Sequence, residues 1–211
     1  MMYIPKHFAT KDDRQIEEFL KDIGACDLIT VSGDSLLIST LPMLHVPSPS
    51  KQGWGTLQGH LARQNPHVRV EGGGVSVVIV RGVSGYVSPG WYPSKLDGGK
   101  VVPTWDYVVA HIYGRLTIKD DPIWTRDLVD RLTNHHEARM ETPWSIDEAP
   151  ADFITAQLRA IVGVELEIDR VEAKFKLSQN RAREDVLGVI DALSGIDDDL
   201  ALEIRRANDF N

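Results

Sequence analysis

The sequence predicts a mainly β protein, one barrel-like domain with helices at its periphery. Three observations carry that reading. VSVVIVRG (75–82) and YVVAHIYGRLTIK (107–119) are rich in β-branched and aromatic residues, the composition of strands. In VELEIDRVEAKFKLS (164–178), Val164, Leu166 and Ile168 alternate with Glu165, Glu167 and Asp169, the period of a half-exposed strand. Helical spacing is confined to short segments at the two ends and between strands. At 211 residues the chain can bury roughly 70% of its unfolded surface, enough for one substantial core. The reading places the barrel and an N-terminal helix in residues 1–180 and a helical extension packed on the barrel in 181–211.

Taken in order, Ile16, Phe19, Leu20 and Ile23 recur at helical spacing, with Asp12 and Asp13 in the first turn and Gly24 as a stop. DLITV, the turn Ser32-Gly33-Asp34 and SLLISTL then form a β-hairpin. VPSPSKQGWG interrupts regular structure before a short strand, Thr56 to Gln58, and a brief helical turn over Leu61 to Gln64 that ends near Pro66. VSVVIVRG is a buried, central strand. In the long strand from Tyr107 to Lys119, Gly114 marks a bulge or a close backbone approach. Asp121 and Pro122 supply an N-cap and a first-turn proline for a helix to about Arg139. A short helix follows over 151–161, then the alternating strand, then two helices over 185–193 and 197–208. Internal repeats and low-complexity tracts are absent from the sequence.

Composition removes several function classes. No apolar run approaches the length of about 18 residues that a membrane helix needs. MMYIPKHF, interrupted by Pro5, lacks the apolar core of a secretory signal, so a cytoplasmic location is expected. The single cysteine, Cys26, allows neither an internal disulfide nor a cysteine-based zinc site and reads as a small half-buried hydrophobe. A net charge of −8 repels a phosphate backbone unless a basic face compensates. The tail offers none: from Arg181 to Asn211, four arginines face eight acidic residues, a balance of −4.

Four blocks carry chemistry. In GHLARQNP (59–66), His60 and Arg63 stand three apart at what reads as a helix start, where free backbone N–H groups would join them in holding an anion; a surface turn is the plain alternative. GYVSPGWY (85–92) and VPTWDY (102–107) each set aromatic rings and prolines around one hydroxyl, Ser88 or Thr104. Such rings can wall a planar ligand, or can simply be core and interface aromatics. KLSQNR (176–181) follows a strand, so alternation points Lys176 and Ser178 one way and Leu177 and Gln179 the other. Its plainer reading makes Asn180 the N-cap and Arg181 the first residue of the next helix. The adjacent pair His135-His136 diverges by about 100° on a helix, so the two do not share one metal ion. EGGGVS (71–76) precedes a strand instead of linking strand to helix, which excludes a dinucleotide fingerprint.

In this order, MYIPKHF (2–8), GHLARQNP, YVSPGWY, VPTWDY, LTNHHE (132–137) and KLSQNR resemble the PaiB-type family of FMN-binding negative transcriptional regulators. The resemblance runs nearly end to end. It implies a six-stranded FMN-binding split β-barrel with C-terminal helices, dimeric, with the flavin at the subunit interface. It implies His60 and Arg63 at the phosphate, and Ser39 and Thr40 on a strand running along the flavin. Ser88, Trp91, Thr104 and Trp105 would line the ring or ribityl chain, with Lys176, Ser178, Gln179 and Asn180 completing the pocket. Two positions depart from the family pattern. Ser39-Thr40-Leu41-Pro42 stands where the family has Thr-His-Leu-Pro, and Asp106 stands where it has Asn. A phosphate contact by either side chain would be weakened.

The expected function is a flavin-dependent sensor or regulator acting as a dimer, with direct DNA binding doubtful on charge grounds and no membrane partner. A flavin or NAD(P)H oxidoreductase of unknown substrate stays open, although no side chain stands out as its acid or base. So does a haem-binding split barrel, for which His45, His60, His67 and His111 are the conceivable axial ligands.

Overall fold

The computed structural model describes residues 1–10, 12–49, 53–70 and 75–210. Six strands, β1 (Ala25–Ser32), β2 (Ser35–Val46), β3 (Thr56–Ala62), β4 (Val75–Val87), β5 (Thr104–Lys119) and β6 (Ile161–Lys176), close in the order β1-β2-β3-β6-β5-β4. Among the described residues five α-helices accompany them: α1 (Asp13–Lys21), α2 (Pro122–Glu137), α3 (Ala151–Arg159), α4 (Arg183–Leu193) and α5 (Asp198–Ala207). The expected mainly β architecture with six strands is what the chain forms. Closure matters physically, because a closed ladder leaves no edge strand with unpaired backbone groups.

Local chemistry explains most elements. Ile16 and Leu20 are buried on one side of α1. That helix ends at Lys21, three residues before the expected glycine, and Gly24 takes no left-handed conformation. Between β1 and β2 the loop is two residues, Gly33 and Asp34, because Ser32 pairs with Ser35. Gly33 lies at φ +58 while Asp34 does not enter the positive region, the pattern of a type II′ hairpin turn. β2 runs on past the expected end through Pro42, which pairs with Ala25; from Met43 onward the strand pairs with β3 instead. Asp121 caps α2, accepting from the Ile123 and Trp124 amides at 2.8 and 3.3 Å, with Pro122 in the first turn as expected.

Two expectations fail, both where a strand end meets a polar block. Gly59 to Ala62 are strand, and the helical turn expected over Leu61 to Gln64 is absent; a short 3-10 helix stands later, at Pro66–Arg69. The cause is pairing at long range: Gly59, His60, Leu61 and Ala62 face Val164, Gly163, Val162 and Ile161 across the β3–β6 ladder. Helix α4 starts at Arg183 with Ala182 at its N-cap, so neither Asn180 nor Arg181 holds the position expected of it. Ser178 at φ 63 and the Arg181 amide bonded to the Ser178 carbonyl close a tight turn there first. The EGGG segment lies outside the described residues.

Two compact units result. One comprises Met1–Phe19, Arg81–Ala110 and Glu172–Asn211, and its core includes Val87, Tyr92, Leu177, Val186, Leu200 and Ile204. The other comprises Leu20–Val80 and His111–Val171, with Leu28, Met43, Leu57, Ile112, Leu128 and Leu166 fully buried. In the second unit the close approach expected at Gly114 is present: a Cβ there would stand only 2.0 Å from the Glu167 carbonyl oxygen of β6. A side chain is therefore incompatible with β5 and β6 at their present spacing. Gly114→Ala should destabilise the protein by about 1–3 kcal/mol or more, the usual cost of overpacking, read as a lower urea midpoint with the slope unchanged. An unaltered midpoint would mean that the strands part there without cost.

Candidate functional site

In the first unit the chemistry gathers around Asp106, whose side chain has no exposure. A buried carboxylate is costly unless it is paired and hydrogen-bonded, and here both conditions are met. The Lys176 ammonium, at the end of β6, donates to Asp106 Oδ1 at 3.1 Å, to Thr104 Oγ1 at 2.7 Å and to the Trp105 carbonyl at 2.5 Å. Ser178 Oγ donates to Asp106 Oδ2 at 2.6 Å. All three protons of the ammonium are thus used within the protein. The acid that departs from the family pattern is the counter-ion of a lysine from the same predicted site.

The rest of KLSQNR supports this arrangement. Gln179 folds back, its Nε2 donating to the Phe175 carbonyl at 2.6 Å and its Oε1 accepting from the Leu177 amide at 2.8 Å. Leu177 is fully buried and Ser178 nearly so, so the alternation expected along the block ends with the strand at Lys176. Asn180 is exposed. Beside the cluster, Trp105 is 52% exposed and Tyr86 49%, their rings edge to face at 6.3 Å between centroids. The Trp105 indole N–H donates to Ser84 Oγ at 2.7 Å, which fixes the ring's orientation. Ser88 caps the short 3-10 helix Pro89–Trp91 by accepting from the Gly90 amide at 3.1 Å, and Trp91 is half-buried. Thr104, Trp105, Lys176 and Ser178 are therefore brought together through Asp106, while Ser88, Trp91, Gln179 and Asn180 have separate surroundings.

The second unit holds the other four predicted residues. His60 lies on β3, not at a helix start, so the free amides expected beside it are spent on the ladder. Its side chain shares a strand face with Gln58, which accepts from Arg131 of α2 at 2.8 Å, and its Nδ1 is buried with no hydrogen-bond partner. Arg63 follows the strand. Its guanidinium donates to the carbonyls of Arg159 (3.0 Å) and Ile161 (3.1 Å) and pairs with Asp120 at 2.9 Å. Ser39 and Thr40 on β2 diverge: exposed Thr40 donates to Asp27 at 2.7 Å, whereas Ser39 Oγ lies 3.1 Å from His67 Nδ1 and accepts from Asn65 Nδ2 at 2.9 Å.

The cluster of Ser39, Asn65 and His67 escaped the sequence reading, although Asn65-Pro66 carries a cap-and-first-turn signal. Asn65 does cap the 3-10 helix, accepting from the His67 amide at 3.0 Å. Burial lowers the pKa of both His60 and His67, the Leu37 carbonyl opposing the shift in part for His67. The exposed Arg63–Asp120 pair shifts each partner toward its charged form. Cys26 is more deeply buried than expected, and burial, helped by Asp27, pushes its thiol up to about 12, an unreactive value.

Taken unit by unit, the second offers an unpartnered buried imidazole nitrogen and an arginine, groups suited to polar partners, and the first an exposed aromatic pair with the Trp105 ring fixed, suited to a planar one. A closed six-stranded barrel with peripheral helices places the protein in the split-barrel class. The chain belongs to the family described as "Putative FMN-binding domain", which matches residues 2–170, and FMN is that family's cofactor. The resemblance drawn from the six sequence blocks agrees with this. The protease synthase and sporulation protein PAI 2 of Bacillus subtilis is 28% identical over 193 residues, covering 91% of this chain and 89% of that one. Protein AN0679 of Emericella nidulans is 27% identical over 233 residues, covering 94% and 92%. Among solved structures, the FAD and heme binding protein of Mycobacterium smegmatis aligns with a TM-score of 0.55 at 17% identity, covering 84% of this chain and 78% of that one. The flavocytochrome Anf3 of Azotobacter vinelandii aligns at 0.57 and 9%, covering 82% and 72%. At those identities they share the fold.

Lys176→Met leaves Asp106 buried without its counter-ion and should cost about 3–5 kcal/mol, while Asp106→Asn should cost distinctly less. Equal losses in urea unfolding would show that the pair is not the source of the stability. For the histidines, the folded pKa lies below the ordinary 6.5, so protonation favours the unfolded chain. Their contribution is fully present above pH 6.5 and is lost as pH falls from there toward the folded values. The urea midpoint should therefore drop between about pH 7 and 5.5, and His60→Gln should flatten that drop.

Proposed function

We propose that this protein is an FMN-binding split-barrel sensor or regulator that works as a homodimer, with the flavin at the subunit interface. The observation that carries the flavin reading is the exposed Trp105–Tyr86 pair, held in place through Ser84 and through the Lys176 ammonium on the Trp105 carbonyl. Large rings left half-exposed yet orientationally fixed are suited to cover a planar ligand. His60 and Arg63 are proposed as phosphate partners, Arg63 by sharing its guanidinium with Asp120. Ser39 and Thr40 are proposed beside the flavin, and Ser88, Trp91, Thr104, Lys176, Ser178, Gln179 and Asn180 around its ring and ribityl chain. For several of these the role is positioning, since their hydrogen bonds are already used within the protein.

The dimer has its own support. Val31, Leu36, Ile38 and Val75 are 60–76% exposed, and Val31 pairs directly with Leu36 across the β1–β2 ladder. Ile38 lies two residues on from Leu36, and Thr30 pairing with Ser76 puts Val75 beside Val31, so all four share one sheet face. A contiguous apolar face of this kind favours cover by a second copy. With a net charge of −8, regulation is proposed to act without direct contact to DNA.

An absorption spectrum of the protein titrated with FMN tests the cofactor. We expect saturable binding that Arg63→Ala weakens by about 1.5–3 kcal/mol, the range for a hydrogen bond to a charged group. A Soret band, or no flavin binding, would overturn the reading. Light scattering on the same samples should give a dimer that Ile38→Lys converts to monomer with loss of FMN affinity; a monomeric protein that retains flavin would remove the interface from the proposal.

A further inference from the structure

We propose a second ligand site in this protein, a cavity that takes a small molecule with an apolar body and a single oxyanion head. The cavity has a volume of about 630 Å³ and lies where the first turn of α2 and the last turn of α3 face each other beside the start of β6. Ile123, Leu158 and Ile161 give it apolar walls, and Arg63, Arg126 and Arg159 bring three positive charges against the single negative charge of Asp120. A positive lining is against the trend of a chain whose net charge is −8.

The three arginines are not equivalent. Arg126 is paired with Asp147 at 2.8 Å, and Arg63 with Asp120. Arg159 occupies the last turn of α3, where a basic side chain ordinarily serves the unsatisfied carbonyls of the helix end. Those carbonyls are taken. The Arg63 side chain donates to the carbonyls of Arg159 and Ile161, and the Arg63 amide donates to that of Ala160 at 2.8 Å. Arg63 is thus the clamp of the α3–β6 junction, and the Arg159 guanidinium makes no hydrogen bond or ion pair among the described residues. Its planar fork, at the rim of a cavity with apolar walls, is suited to a carboxylate or a phosphate monoester. Ile123, 82% exposed at the start of α2, is a large apolar side chain for which the ligand's body supplies the missing cover. The amides of the first turn of α2 play no part, because Asp121 already accepts from Ile123 and Trp124.

Calorimetric titration of the full-length protein with sodium octanoate tests the site, with octan-1-ol and inorganic phosphate as controls for the head and the body. Octanoate should bind saturably with a Kd on the order of 1 mM or tighter, as its size allows, and each control at least roughly tenfold more weakly. Arg159→Ala should raise the octanoate Kd roughly tenfold or more. Ile123→Glu, at an exposed position that leaves the core untouched, should do the same through lost contact and like charge. Neither change should alter FMN binding. Absence of saturable heat up to about 10 mM octanoate, equal binding of the alcohol, or an unaffected Arg159→Ala protein would overturn the proposal. A loss of FMN affinity in Arg159→Ala would also overturn it, by making the cavity the phosphate end of the flavin site instead of a second site; failure of FMN to bind the unaltered protein would leave the octanoate result standing.

Discussion

Asp106 is the constraint on which the first unit depends. A carboxylate with no exposure must be neutralised and fully hydrogen-bonded, and each partner it recruits fixes another part of the chain. Lys176 ties the end of β6 to the start of β5, and its remaining protons hold Thr104 and the Trp105 backbone. Ser178, left-handed in its backbone just past the end of β6 and ahead of helix α4, donates to the other carboxylate oxygen. The exposed Trp105 ring is therefore carried on a backbone anchored by a buried ion pair. An aromatic surface built in that way keeps its orientation without a ligand, and less is lost when a planar molecule settles on it.

Arg63 plays the corresponding part in the second unit, at a different cost. Its bonds to Asp120 and to the α3–β6 junction are exposed to solvent, so each is worth little in stability. Their effect is geometric. By satisfying the carbonyls of Arg159, Ala160 and Ile161 at the α3–β6 junction, Arg63 releases Arg159 from the role a helix-end arginine usually fills. One exposed residue thereby changes what its neighbour can bind.

Much of the fold was legible residue by residue. The cap and proline at Asp121-Pro122, the β-branched runs of β4 and β5, and the alternation of β6 are local signals that the tertiary structure leaves intact. Gly114 was also legible, because a glycine within a strand of large residues implies a close backbone, here the Glu167 carbonyl. The misreadings fall where local and long-range demands compete. HLAR is acceptable as a helical turn until β6 offers a complete ladder, and Asn180-Arg181 is an acceptable cap until Ser178 turns the chain ahead of it.

By itself the sequence determined the fold class and the flavin-binding family, because these rest on periodicity, turn chemistry and ordered motifs. Only the tertiary structure decided what each polar residue does. Asp106, an apparent liability beside a phosphate, is a counter-ion, and Lys176, an apparent ligand contact, spends its protons on holding strands together. The reason is physical: a charged group's role depends on which partner reaches it at about 3 Å, and Asp106 lies 70 positions from Lys176 along the chain.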